Sequence, residues 1–248
     1  AAVMVSSDPA QNTYWDYYWG GGFWEFDPGD GSNFQGVKKL YVRAIDDAGN
    51  EAPMLWRSDT IVVDTVPPVT GTVALWGLDK DGPSRTITRT RDVTVRLAGY
   101  SDVTSGLTQM IASEDPGYAD ATWETYVAEF TRTLSEGDGD KYIYVTVRDA
   151  AGWWTEQRWG GIRLDTTAPY FAFSIVGQGA EGSETWATSR TRRVRLDSAV
   201  DDFGGTNVAE LQLARTQAAL AAAPVEAFLL QHPAWDLMDP ATPTCRKE

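Results

Sequence analysis

The sequence predicts an all-β chain made of β-sandwiches repeated in tandem, and two observations lead to that prediction. First, similar segments recur: Asp64 and Asp165 each begin a short proline-containing link, and they lie 101 positions apart. Second, apolar and polar residues alternate through short runs separated by Gly, Asp and Pro, as they do in half-buried strands. A repeat of about one hundred residues is longer than a solenoid unit and has the length of a whole domain.

The repeat keeps its register over much of the chain. The stretch TRTRDVTVRL from Thr88 and the stretch SRTRRVRL from Ser189 are also 101 positions apart. Further upstream the spacing drifts to 103 positions between Asp46 and Asp149, as expected when loops gain or lose residues. The chain is therefore predicted to contain the same domain more than once.

This register predicts three domain segments. Residues 1–68 form the C-terminal part of one sandwich, residues 69–168 a complete sandwich, and residues 169–248 the N-terminal part of a further one. An incomplete sandwich exposes strand edges and an apolar face. We therefore expect adjacent repeats of the same polypeptide, or further copies of the chain, to cover the two incomplete segments.

Period-two alternation places the strands and the core. In KYIYVTVRD the apolar residues Ile143, Val145 and Val147 fall on one face, and RDVTVRL repeats the pattern from Val93. The segment 208–213 is predicted to be a strand, followed by a loop that holds a helical turn. Seven apolar residues are predicted to be buried in the middle sandwich: Val93, Val95, Leu97, Met110, Ile143, Val145 and Val147.

Several pieces of the chain follow a recurring pattern in which Gly-Asp-Gly, a strand and Asp-x-Ala-Gly precede a proline-containing exit. The middle unit carries it in Leu134, residues 137–139, Lys141, residues 144–152 and residues 162–169. The first unit carries it in residues 29–31, 41–42 and 47–50. These pieces resemble the bacterial immunoglobulin-like repeats found in tandem in large secreted and surface-attached proteins. The resemblance implies immunoglobulin-like β-sandwiches, and an extracellular or cell-surface location.

The chain departs from that pattern at two positions. Trp153 replaces the Asn that normally follows Ala-Gly, and Ile45 stands where the pattern has Arg. The Asp-x-Ala-Gly segment itself is interpreted as a tight turn, because Gly tolerates positive φ and a neighbouring Asp accepts hydrogen bonds from backbone amides.

Charge and hydropathy argue against two classes of partner. The formal net charge of -14 would repel a phosphate backbone, so nucleic acid is not expected to bind. The longest nearly apolar run, residues 218–230, contains Pro224 and Glu226 and is shorter than the roughly 20 residues that span a bilayer. No membrane span is predicted.

The sequence favours neither an enzyme nor a cofactor. His232 is the single histidine and Cys245 the single cysteine, so zinc sites and Ser-His-Asp or Cys-His arrangements lack their usual parts. Residues 27–33 (DPGDGSN) and 135–141 (SEGDGDK) have the composition of calcium loops but not the full ligand spacing. We interpret both as hairpin turns, with calcium as the alternative, and predict no catalytic or metal-binding residue.

Aromatic clusters are the least ordinary feature of the sequence. The candidate interface or glycan-binding residues are Trp19, Phe23, Trp24, Trp153, Trp154 and Trp159. Exposed aromatic rings bury much area at small entropic cost, so they mark protein interfaces or sugar platforms when they are not core residues. All three roles remain open at this point.

Two functions follow as expectations. The first is a non-catalytic structural repeat region of an extracellular or cell-surface protein, such as a filament or surface-layer component that assembles through aromatic patches and sandwich ends. The second is a carbohydrate-binding or adhesive accessory module of a larger surface protein or secreted enzyme.

Overall fold

The computed structural model describes part of the chain, and every structural statement below refers to that part. The described residues are 2–6, 15–17, 35–51, 57–176, 191–201, 210–212, 219, 222, 225–227 and 235–236.

The described residues form eighteen β-strands. In chain order these are β1 Ala2–Ser6, β2 Trp15–Tyr17, β3 Gly36–Ile45, β4 Arg57–Val63, β5 Thr72–Leu78, β6 Pro83–Ser84, β7 Ile87–Thr88, β8 Asp92–Ala98, β9 Leu107–Ser113, β10 Glu124–Thr125, β11 Glu129–Thr133, β12 Gly139–Asp149, β13 Arg158–Leu164, β14 Tyr170–Val176, β15 Thr191–Val200, β16 Glu210–Gln212, β17 Val225–Ala227 and β18 Trp235–Asp236. Within the described ranges Ala219 alone is helical. The predicted all-β fold class is confirmed.

The strands form five sheets. Their orders are β2-β1-β3-β4, β10-β9-β12-β13-β7, β11-β8-β5-β6, β14-β15-β18 and β16-β17. Antiparallel pairing predominates, as between β9 and β12 and between β3 and β4, whereas β7 lies parallel to β13. The strand predicted in residues 208–213 is confirmed for Glu210–Gln212, which pairs with β17.

The chain divides into two compact units, each made of three segments. The first consists of Ala1–Leu75, Thr94–Arg132 and Tyr142–Gly161, and the second of Trp76–Val93, Thr133–Lys141 and Ile162–Glu248. In the first unit, strands of two different sheets contribute the buried apolar residues, which gives it a sandwich-like character. They are Leu75, Val95, Leu97, Tyr100, Met110, Ile111, Ala112, Ile143, Val145 and Val147. In the second unit the buried apolar residues are Val93, Leu134, Ile162 and Leu164.

The seven predicted core residues are all buried, and none of them is more than 6% exposed. The strand β12 shows why the prediction succeeds: Ile143, Val145 and Val147 occupy alternate positions, so their side chains point to one face of the sheet. In β8 the buried residues Val93, Val95 and Leu97 alternate in the same way. A shift of one residue in the strand pairing would move these side chains to the other face of the sheet. Because one face is buried, the register of both strands is fixed.

Two glycines in the first unit allow backbones to approach closely. A Cβ atom on Gly71 would lie 2.2 Å from the Ala98 carbonyl oxygen and 2.5 Å from Tyr100 Cδ2. A Cβ atom on Gly160 would lie 2.6 Å from Leu75 Cδ1. No larger side chain fits at either position without a shift of its neighbours.

Candidate cation site and aromatic cleft

The two Asp-x-Ala-Gly segments form matching turns at the ends of β3 and β12. In the first, the Asp46 amide donates to the Asn50 carbonyl at 3.0 Å, and the Asn50 amide donates to Asp46 Oδ1 at 2.7 Å. In the second, the Asp149 amide donates to the Trp153 carbonyl at 3.0 Å, and the Trp153 amide donates to Asp149 Oδ1 at 2.9 Å. The predicted role of this segment as a turn is confirmed.

The glycines of these turns explain part of the signature. Gly49 has φ +86 and Gly152 has φ +95, both in the left-handed region that side chains with a Cβ rarely adopt. The turn also needs the Asp carboxylate, because its Oδ1 atom accepts a hydrogen bond from the backbone amide four positions later.

The two turns differ at their last residue. Asn50 Nδ2 also donates to Asp46 Oδ2, at 2.8 Å, so both oxygens of that carboxylate are bonded. Trp153 has no side-chain amide to donate in this way. Its indole Nε1 instead donates to the Asp64 carbonyl oxygen at 3.0 Å. Asp149 is 2% exposed, and its Oδ2 has no hydrogen-bond partner.

Asp149 belongs to a cluster of three aspartates in the first unit, which we call the aspartate cluster: Asp64, Asp102 and Asp149. Asp64 follows β4, Asp102 lies in the loop between β8 and β9, and Asp149 ends β12. One carboxylate oxygen from each lies within 4.8 Å of the others. Asp64 is 8% exposed, and its Oδ2 also has no hydrogen-bond partner.

Backbone amides hold one oxygen of each carboxylate in place. Asp64 Oδ1 accepts from the Val66 amide at 3.1 Å, as Asp149 Oδ1 does from its turn. Asp102 Oδ1 accepts from three successive amides, those of residues 104–106, at 3.0, 2.8 and 2.8 Å. The cluster is therefore fixed by local turns that leave the Oδ2 atoms of Asp64 and Asp149 without a donor.

The electrostatics of the aspartate cluster are unfavourable without a cation. Burial acts to raise the pKa of Asp102, but the amides of Gly106, Ser105 and Thr104 outweigh it and hold that pKa below its ordinary value. Two like charges at about 5 Å repel by on the order of 3 kcal/mol at an effective dielectric constant of about 20. Among the described residues, no ion pair joins any of the three aspartates to Lys or Arg.

The Gly-Asp-Gly segment at residues 137–139 has a different role. Asp138 Oδ1 accepts from the Thr166 amide and hydroxyl at 2.8 and 2.7 Å, and Asp138 Oδ2 accepts from the Thr167 amide at 3.2 Å. The hydrogen bonds from Thr166 and then Thr167 lower the pKa of Asp138 to about 2. This carboxylate anchors the proline-containing link that begins at Asp165. The prediction of a hairpin turn is wrong for residues 135–141, because they connect β11 to β12 and these two strands lie in different sheets. The segment at residues 27–33 lies outside the described residues.

The six predicted aromatic residues fall into two groups. Trp19, Phe23 and Trp24 lie outside the described part of the chain. Trp153, Trp154 and Trp159 are 45%, 63% and 59% exposed, so none of the three is a core residue. Trp153 contacts Asp64 as described above, and Trp159 packs edge-to-face on Tyr142 with ring centroids 5.3 Å apart.

Trp154 lines a cleft of about 600 Å³ in the first unit, which we call the aromatic cleft. Aromatic rings and polar groups share its lining: Ile111, Tyr118, Trp123, Thr146, Trp154, Thr155, Glu156 and Gln157. This volume falls in the range of small-molecule sites. The sequence singled out Trp154 but not the ring of Trp123 that faces the same cleft.

Contacts fix the side chains of the aromatic cleft. The Arg148 guanidinium lies over the Trp123 ring, 4.2 Å from its centroid, and Arg148 Nε donates to Gln109 Oε1 at 2.7 Å. The Tyr118 hydroxyl and Thr146 Oγ1 are hydrogen-bonded at 2.9 Å. Tyr118 has φ +57, in the left-handed region, which is uncommon for a residue with a large side chain. Trp123 and Tyr118 are thus held by specific contacts at the wall of the cleft.

Sequence reasoning missed the aspartate cluster for a definite reason. Asp64 and Asp149 were recognised only as members of a link and of a turn, and Asp102 carried no signal among 35 acidic residues. One signal was present in the sequence: Trp153 stands where the pattern has Asn, and the missing side-chain amide leaves Asp149 Oδ2 unpaired. His232 and Cys245 lie outside the described residues.

No family model matches the chain, and no curated protein matches it. Within the described ranges, no helix is long and apolar enough to cross a membrane.

Proposed function

We propose that this chain is a non-catalytic structural repeat region of an extracellular or cell-surface protein, built from tandem immunoglobulin-like sandwiches at residues 1–68, 69–168 and 169–248. The observation that carries the proposal is a repeated strand arrangement. The sheet β2-β1-β3-β4 has the same order as the first four strands of the sheet β10-β9-β12-β13-β7.

The residue pairing supports the same proposal. Val3 pairs with Asp16 on one side and Ala44 on the other. At the corresponding place in the second sheet, Met110 pairs with Glu124 and Val147. Two sheets with one order and one register are what a duplicated domain would produce.

The proline-containing links that begin at Asp64 and Asp165 support the proposal as well. The Thr166 amide is held by the Asp138 carboxylate, and the Thr65 amide is held by Gln35 Oε1 at 3.2 Å. Thr65 and Thr166 are 101 positions apart, as the repeat requires. The two links differ in the residue that accepts this hydrogen bond. In the first link it is Gln35, which follows the Gly-Asp-Gly segment at residues 29–31. In the second link it is Asp138, which lies within the Gly-Asp-Gly segment at residues 137–139.

Strand order favours the immunoglobulin-like type of sandwich. In that fold one sheet places the first, second and fifth strands side by side, and the other sheet places the third beside the last two. Two strands of two residues each, β6 and β7, are left out of the count from β5 to β13. Then β5, β8 and β11 correspond to the first, second and fifth strands and are neighbours in one sheet. The strands β9, β12 and β13 correspond to the third and the last two and are neighbours in the other sheet.

Exposed apolar side chains support assembly with adjacent repeats or with further copies of the chain. Val37 and Val62, which pair across β3 and β4, are 70% and 49% exposed. In the second unit Phe171 and Phe173 stack with ring centroids 6.5 Å apart and are 57% and 53% exposed. Apolar faces of this kind are typical of interfaces.

Sedimentation velocity of the purified chain tests the assembly. We expect association that increases with protein concentration and decreases in Val62→Lys and in Phe173→Ser. The matched control is Val103→Ser, because Val103 is 99% exposed and lies in a loop. A compact monomer at every concentration, or an equal effect of all three substitutions, would contradict the proposal.

Protease treatment of intact producing cells tests the location. The proposal predicts loss of the chain from intact cells under conditions in which a cytosolic marker protein survives. Protection until the cells are lysed would contradict an extracellular or cell-surface location.

A carbohydrate-binding or adhesive module is the second candidate function, and the aromatic cleft favours it. Flat rings at Trp154 and Trp123 beside the polar groups of Thr146 and Gln157 suit the face and the hydroxyls of a sugar. A glycan array is the test: binding should be lost in Trp154→Ala and kept in Trp159→Ala, whose tryptophan is similarly exposed but lies outside the cleft lining. Loss of binding in both variants, or binding at the wild-type level in both, would exclude the cleft as the sugar site.

A further inference from the structure

We infer that Asp64, Asp102 and Asp149 bind one calcium ion. The three residues come from the link after β4, the loop after β8 and the turn after β12, and each offers one carboxylate oxygen within 4.8 Å of the other two. A single Ca²⁺ with oxygen ligands at about 2.4 Å can bridge oxygens up to about 4.8 Å apart. The three separations do not exceed this limit, and one shared ion is the arrangement that we infer.

Two buried oxygens provide an observation independent of the clustering. Asp64 Oδ2 and Asp149 Oδ2 are buried and have no hydrogen-bond partner, although their residues are 8% and 2% exposed. A buried carboxylate oxygen without a donor is costly, because it has lost its water and gained nothing in return. A cation between the three side chains would satisfy both oxygens and remove the repulsion among three charges.

The ligand chemistry selects the ion. All three side chains are carboxylates, and oxygen-only ligand sets suit Ca²⁺ and Mg²⁺ rather than zinc or copper. Mg²⁺ requires near-ideal octahedral geometry at shorter distances and keeps most of its water. Here the carboxylates are fixed by separate turns on three segments, an arrangement that the variable coordination of Ca²⁺ accommodates better.

Trp153 is the residue that makes this site available. In the equivalent turn of the first segment, Asn50 Nδ2 bonds Asp46 Oδ2 and so uses up the second oxygen. Trp153 leaves Asp149 Oδ2 free and donates its indole proton to the Asp64 carbonyl, which ties Asp64 to the same turn. Because Trp153 takes the place of Asn, Asp149 Oδ2 is available as a ligand and Asp64 is held in position as another.

The sequence predicts no cofactor, with calcium at the Gly-Asp-Gly segments as the alternative. The aspartate cluster, rather than a Gly-Asp-Gly segment, would hold calcium. The ion would join the link that follows β4 to the loop and turn of the neighbouring sandwich, and so would fix the direction of that link.

Calorimetric titration of the intact 248-residue chain tests the site after removal of metal with a chelator. We expect binding of CaCl₂ with a dissociation constant between about 1 μM and 1 mM, in the range of calcium sensors and extracellular modules. Asp149→Asn and Asp64→Asn should each weaken that binding at least about tenfold, because each removes one ligand charge. The melting temperature of the wild type should rise with calcium concentration, and that of Asp149→Asn should rise much less.

Two further variants separate a lost ligand from a damaged fold. Trp153→Asn restores the residue found in the other turn, so it should keep the fold, supply a donor to Asp149 Oδ2 and weaken calcium binding at least about tenfold. Asp46→Asn changes the matching carboxylate, whose two oxygens already accept three hydrogen bonds, so it should leave calcium binding unchanged.

Four results would overturn the proposal. The first is no calcium binding up to several millimolar, and the second is calcium binding that Asp149→Asn and Trp153→Asn leave unaltered. The third is MgCl₂ binding as tightly as CaCl₂, which would show a non-selective acidic surface. Loss of calcium binding in Asp46→Asn to the same extent as in Asp149→Asn would also contradict the assignment.

Discussion

The Trp153 indole donates a hydrogen bond to the Asp64 carbonyl oxygen at 3.0 Å, although the two residues are 89 positions apart. Asp64 begins the first exit link, and Trp153 ends the turn after β12. This bond connects the segment that follows β4 to the turn that follows β12. It also explains how a departure from the turn pattern serves the structure.

Trp153→Phe should destabilise the chain by about 1 kcal/mol, because it keeps the ring and removes the indole donor from a partly buried carbonyl. Urea denaturation measures the change. Trp159→Phe is the control, since Trp159 contributes a ring contact with Tyr142 that Phe can retain. Equal stability of Trp153→Phe and the wild type would show that the hydrogen bond contributes nothing.

Val145→Asp should unfold the part of the chain that contains β12, because Val145 is fully buried and an unpaired charge there costs several kcal/mol. Val103→Asp is the matched control at a loop position that is 99% exposed. Circular dichroism melting curves of the two variants should differ. A cooperative transition of Val145→Asp at the wild-type temperature would refute the strand register.

Gly71→Ala should destabilise the first unit by about 1 to 3 kcal/mol, as overpacking usually does. The added methyl group would meet the Ala98 carbonyl oxygen at 2.2 Å, and this oxygen belongs to the backbone and cannot rotate away. Gly117→Ala is the control, because its new Cβ would meet only the Asp115 carboxylate at an ordinary 3.5 Å. Thermal melting that ranks the two variants equally would contradict the close approach.

Asp138 should make stability depend on pH in the acid range. Its pKa is held at about 2 by hydrogen bonds from Thr166 and Thr167, below the ordinary 3.8 of the unfolded chain. The lowered pKa stabilises the fold above pH 3.8, and this contribution is lost as the pH falls toward 2. Melting curves of the wild type and Asp138→Asn should therefore differ most near pH 5 and converge near pH 2. A difference that stays constant between those values would contradict this assignment.

The sequence by itself determined the all-β character of the fold, the seven core residues and the Asp-x-Ala-Gly turns. These features depend on local rules: side chains alternate along a strand, and glycine adopts the backbone conformation that a tight turn needs. Val93, Val95 and Leu97 could be placed in the core from their spacing alone, because any sheet with one buried face selects the same alternate positions. The pairing of Asp46 with Asn50 is local for the same reason.

Only the tertiary structure decided which distant residues meet. Asp64, Asp102 and Asp149 come from three separate segments, and nothing in their local sequence distinguishes them from the other acidic residues. Asp138 was predicted to lie in a turn, but its partner Thr166 is 28 positions away and is brought to it by the return of β13. Trp123 and Trp154 share a cleft because two loops fold onto one side of β9 and β12. Sites of this kind depend on how strands are ordered in a sheet, and periodicity within a single strand carries no information about that order.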